Sequence, residues 1–180
     1  MMFIVAVLFG VGVPVGFWLW RESRLKNPAT RWPELAPYLE MKYLGDPPRI
    51  EGAWKGRTFR ITAEGEEALV LTGANARKGI RVEIGPKEMV EKAAGMVVHD
   101  RVVLNDFNFE KRYLLRGTPP ELGEQACDPS MRQRLMSLPD VHILALPDRV
   151  VVRVPFPTEA SQIRNYLDLA GAVADSIDGQ

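Results

Sequence analysis

Three hydrophobic rhythms follow one another along this chain. Residues 1–20 form an unbroken apolar run with no charged side chain, and eleven of them are Val, Ile, Leu or Phe. A 20-residue helix rises about 30 Å, the thickness of a bilayer's hydrocarbon core. Trp18 and Trp20 fall where an interfacial aromatic belt belongs, with Arg21 directly after them. The run therefore predicts a single transmembrane helix over 1–20. Phe17-Trp18-Leu19-Trp20 is too bulky for a small-x-small cleavage site, so an anchor is expected rather than a removed signal. Arg21, Arg24, Lys26 and Arg31 flank the run on one side only, against Glu22. By the positive-inside rule the amino terminus lies outside an inner membrane and the remainder in the cytoplasm. Gly12 and Gly16, one turn apart, form a small-xxx-small pair suited to packing against another membrane helix.

The second rhythm is alternation. Residues 21–33 read as a basic, proline-containing linker, and 34–180 as one α+β domain of antiparallel hairpins with a long C-terminal helix. Pro37 and Gly45 restrict 34–44 to a short helix. Strand patterns follow at 50–54, 58–62, 68–72, 80–84 and 97–104, with a hairpin turn at Lys55-Gly56. A short helix over 86–94 starts at Pro86. Thr118-Pro119-Pro120-Glu121 and Asp128-Pro129 each resemble a helix start, and 141–146 with 149–154 reads as a hairpin across Pro147-Asp148. The third rhythm closes the chain. From Thr158 as cap, Ile163, Tyr166, Leu167, Ala170, Val173, Ala174 and Ile177 recur at helical spacing and predict a core-facing stripe.

Composition narrows the chemistry. Basic and acidic residues balance, 23 against 23, so no global field draws nucleic acid. Cys127 stands alone and cannot form an internal disulfide. His99 and His142 lie far apart with the lone cysteine on neither's local element, and no Cys-x-x-Cys, His-x-x-x-His or EF-hand loop is present, which predicts no metal site. The loop from Gly73 to Gly79 lacks the Gly-Lys-Ser/Thr ending of a phosphate loop and reads as a surface turn. No nucleophile elbow is present, and no catalytic residue or cofactor is expected.

The most distinctive segment is Asp106-Phe107-Asn108-Phe109-Glu110-Lys111-Arg112-Tyr113. Its alternating aromatics predict a strand burying Phe107 and Phe109. Arg112 and Arg116 on such a strand are candidate docking anchors. Phe109-Glu110-Lys111-Arg112-Tyr113, then Gly117-Thr118-Pro119-Pro120-Glu121 and Pro129-Ser130-Met131-Arg132-Gln133-Arg134-Leu135, resembles a family of uncharacterised bacterial membrane-associated proteins across 97–154. The resemblance implies an α+β domain and membrane association, with no activity to carry over.

The sequence thus predicts a non-catalytic accessory or scaffold subunit of an inner-membrane complex, of the energy-transducing, photosynthetic or respiratory kind. Its expected partners are integral membrane proteins and the lipid bilayer. The alternative is a tethered module binding a lipid, peptide or small ligand, which an apolar pocket of Trp54, Phe59 and Phe107 would favour.

Overall fold

The computed structural model describes residues 13–25, 27–94 and 100–179. Its elements run α1 (Val13–Leu25), α2 (Pro28–Leu35), a 3-10 turn (Ala36–Leu39), β1 (Lys42–Gly45), β2 (Pro48–Trp54), β3 (Arg57–Glu64), β4 (Glu67–Gly73), β5 (Arg81–Pro86) and α3 (Lys87–Ala94). They continue as β6 (Arg101–Val102), α4 (Phe107–Arg112), β7 (Tyr113–Thr118), α5 (Pro120–Ala126), α6 (Pro129–Ser137), β8 (His142–Leu146), β9 (Arg149–Pro155) and α7 (Ala160–Ile177).

The transmembrane span expected over 1–20 is overturned. Among the described residues no helix is long and apolar enough to cross a membrane. Within the described residues helix α1 covers Val13–Leu25. It also continues through Arg21, Glu22 and Arg24, which were expected to lie past a helix end. The single-pass inner-membrane placement, with its outside amino terminus and cytoplasmic domain, is withdrawn with it. Residues 1–12, Gly12 among them, lie outside the described residues, while Gly16 falls within α1.

Separate hairpins are also replaced by something larger. Nine strands form one sheet in the order β1-β2-β3-β4-β9-β8-β5-β7-β6, with every neighbouring pair antiparallel. One residue from each strand makes a continuous apolar row: Tyr43, Ile50, Ile61, Val70, Val152, Ile143, Ile84, Leu115 and Val102. Because side chains alternate across a strand, this row sends one face of every strand into the same core.

Helix α7 covers that face, and all seven residues of its expected stripe are buried. It packs on β4, β8 and β9, each large side chain contributing about 1.5–3 kcal/mol by leaving water. Its N-cap is Glu159 rather than Thr158, in a capping box with Gln162. Residues 28–33 of the expected linker are helical, as the start of α2, because Pro28 takes the first-turn position and Asn27 caps Ala29 N–H at 2.9 Å. Trp32 of α2 is fully buried and stacks on Phe156 at 5.3 Å. Arg31 donates to the Thr158 carbonyl at 2.9 and 3.0 Å. These contacts tie α2 to the chain between β9 and α7.

The segment read as an aromatic strand is helix α4. Asp106 caps it by accepting from Phe109 N–H at 3.2 Å, and Glu110 accepts from Leu104 N–H at 2.8 Å. Phe109 is buried, whereas Phe107 is 82% exposed. One side chain satisfying an orphan helix donor and one tying the helix to the chain before it outweigh a short alternation of aromatics.

Candidate functional site

Alternation that sends one row into the core sends its neighbours to the outer face. Across that face run Glu51, Arg60, Leu71, Val151, Leu144, Glu83 and Arg116, each paired with the next. The middle is apolar, with Leu69, Leu71, Leu144 and Val151 left half-exposed. The borders are charged but internally paired. Glu51 meets Arg49 at 2.9 Å and Arg60 at 2.6 Å, and Arg153 meets Glu64 and Glu67, each at 3.1 Å.

At one border the charges go underground. Glu83 is 3% exposed. One oxygen accepts from Arg81 and Arg116, both at 3.0 Å, and the other faces His142 Nε2 at 3.0 Å. The His142 hydrogen bond, then the Arg81 charge, hold its carboxyl below the usual glutamate range against the opposing effect of burial. Gly85 makes room for this arrangement. A Cβ there would lie 2.5 Å from His142 Cδ2 and 2.9 Å from Val90 Cγ2, so the imidazole lies over bare backbone. A buried carboxylate held by two arginines on one oxygen and an imidazole on the other is an electrostatic knot joining β5, β7 and β8.

The two arginines expected as docking anchors are not brought together. Arg116 is engaged by Glu83 within the sheet. Arg112 sits at the end of α4 and clamps the turn after α6. Its guanidinium donates to Asp140 Oδ1 and the Leu138 carbonyl at 3.0 Å, and to the Met136 carbonyl at 3.3 Å. Arg112 also borders a cleft of about 760 Å³ between α3, α4 and the end of α6.

The expected aromatic pocket does not form either. Trp54 and Phe59 line a groove of about 240 Å³ against α7, while Phe107 stands on α4. Trp54 donates instead to Asp168 at 2.7 Å. The loop from Gly73 to Gly79 is pinned to the β8–β9 turn, its Ala74 and Ala76 N–H groups donating to the Asp148 and Pro147 carbonyls at 3.0 and 2.9 Å. Cys127 is buried, which pushes its thiol up to about 12 and keeps it protonated. Among the described residues no three His, Cys, Asp or Glu side chains gather as a metal site requires. His99 lies outside the described residues.

The Glu83 knot escaped the sequence reading, although a signal was present. Arg81 and Glu83 are two apart in an otherwise apolar strand and so must share a face. The cleft had no such signal, because its walls come from three helices distant in sequence.

No protein-family model and no curated protein matches the chain. Among solved structures, the crystal structure of the mycobacterial trehalose monomycolate transport factor A, TtfA, is similar in fold, with a TM-score of 0.59 at 14% identity. The match covers 83% of this chain and 93% of that one.

Proposed function

We propose that this chain is a non-catalytic accessory factor, a docking scaffold for a larger transport assembly whose components include integral membrane proteins. The observation that carries the reading is the outer sheet face. Leu69, Leu71, Leu144 and Val151 form a half-exposed apolar stripe, bordered by arginines and glutamates already paired with one another. An apolar centre with a polar rim is the anatomy of a protein–protein interface. The Glu83 knot favours a structural use of the chain's most buried charges over a catalytic one. The transport setting is suggested by likeness in fold to a transport factor.

The test is mild purification of the full chain from its own cells, in parallel with a Leu71→Gln/Leu144→Gln variant. Both side chains are half-buried, so the variant should stay folded and melt about 10 °C below the parent. Components of a transport assembly should accompany the parent and be depleted at least fivefold from the variant. An unchanged partner set, or substrate turnover by the purified chain, would overturn the reading. A second reading, a binding module, is favoured by the cleft between α3 and α4.

A further inference from the structure

We infer that the cleft between α3, α4 and the end of α6 receives an acidic amphipathic segment of a partner protein. The inference deepens the docking reading by naming a second surface and the chemistry it selects. Among the described residues, apart from Tyr38 and those of α1, the exposed large apolar side chains are Met89, Val103, Phe107 and Met136. All four lie on α3, α4, α6 or the segment leading into α4. Met89 and Met136 line the cleft itself. Unbranched thioethers repack around differing apolar surfaces, which suits a groove that takes a helix.

The charges set the sign of the partner. Lys87 and Lys111 stand on the cleft wall, and neither ammonium has a hydrogen-bond or ion-pair partner among the described residues. The cleft's other cation, Arg112, is already paired with Asp140 at 3.0 Å. Glu88, also without a partner among the described residues, is the remaining acid on the wall, so its unpaired charge is net positive by one. Two free cations beside two methionines therefore fit a helix with carboxylates along the edge of its apolar stripe. Concavity favours an inserted segment over a flat bilayer. A wall this rich in charged groups also differs from the apolar lining that an acyl chain needs.

The experiment uses the full chain with methyl-labelled methionine. The probes are a capped peptide helix with leucine on one face and glutamate along its edges, the same peptide with lysine for glutamate, and phosphatidylglycerol vesicles. The glutamate peptide should shift the Met89 and Met136 methyl resonances and leave buried Met131 unmoved. In a Lys87→Glu/Lys111→Glu variant its affinity should fall at least tenfold, and the lysine peptide should gain affinity. Neither lysine has a partner among the described residues, so the variant keeps the contacts seen there; an unchanged spectrum elsewhere verifies folding. No shift with the glutamate peptide, equal binding of both peptides, or shifts with vesicles alone would overturn the inference. Leu71 and Leu144 lie on the sheet face, away from this cleft. Loss of peptide binding with co-purification still sensitive to those two leucines would remove only the cleft, and the reverse would remove only the sheet-face reading.

Discussion

A carboxylate moved out of water loses hydration worth several kcal/mol unless charged or polar partners replace it. Glu83 meets that cost with Arg81, Arg116 and His142, all at 3.0 Å. Its folded pKa is depressed, chiefly by the His142 hydrogen bond, so between the folded and unfolded values the unfolded chain binds more protons. Stability from this group is complete above the ordinary glutamate value, about 4.3, and is lost as the pH falls through the lower folded value. Glu83→Gln removes the charge and leaves Arg116 facing a neutral amide. At neutral pH the variant should lose roughly 3 kcal/mol, the lower end for breaking a buried pair. Its stability should also fall less steeply between about pH 5 and pH 3 than the parent's. Asp178 keeps part of the slope: burial pushes its carboxyl up, but the Asn75 N–H and Arg57 pull it lower overall. Denaturant midpoints measured across that range in both chains check this. Parallel slopes would show that Glu83 is not depressed in the folded state.

Helix α4 exists because of its first residue's neighbour. It spans only six residues, too few to persist without tertiary or capping support. Asp106 supplies that support by accepting from Phe109 N–H, and its other oxygen meets Arg132 Nε at 3.1 Å. Asp106→Ala should cost about 1–2 kcal/mol, through the lost N-cap and the lost Arg132 ion pair, and Asp106→Asn should recover the share due to the cap. Hydrogen exchange at Phe109 and Glu110 should rise in the alanine variant alone; equal exchange in all three chains would rule out the cap. The same segment shows where sequence legibility ends. Helix α7 and most strands were readable because their period spans several turns or residue pairs and one partner, the core, rewards it. At residues 106–113 two aromatics in alternation mimic a strand, and only the local competition for backbone donors decides the outcome. Alternation also tells which face a residue takes, but not which strand lies beside it. The Glu83 knot therefore needed the β5–β7 and β5–β8 pairings, which no local pattern encodes. The apolar run at the amino end misled for a related reason: hydropathy alone did not foresee a helix running on through Arg21 and Arg24.

At the scale of the whole molecule the sheet is two antiparallel blocks, β1–β4 and β5–β9, meeting at the β4–β9 ladder. Each block lacks a complete core of its own, since the apolar row crosses the seam from Val70 to Val152. Helix α7 lies over the seam, packing on β4 on one side and on β8 and β9 on the other. Neither block can shed its partner without exposing both the row and the stripe of α7, so the domain should unfold as one unit. Val152→Ala tests this at the joint. Val152 is fully buried, and removing two methyl groups should cost about 2 kcal/mol through lost transfer energy and a residual cavity. The loss should appear equally on both sides. Hydrogen exchange followed by mass spectrometry, in increasing denaturant, should show residues 57–64 and 113–118 losing protection at one common midpoint. That midpoint should shift by the same amount in the variant. Protection that survives in one segment after vanishing from the other would mean that the blocks are separate folding units, and that α7 belongs to only one of them.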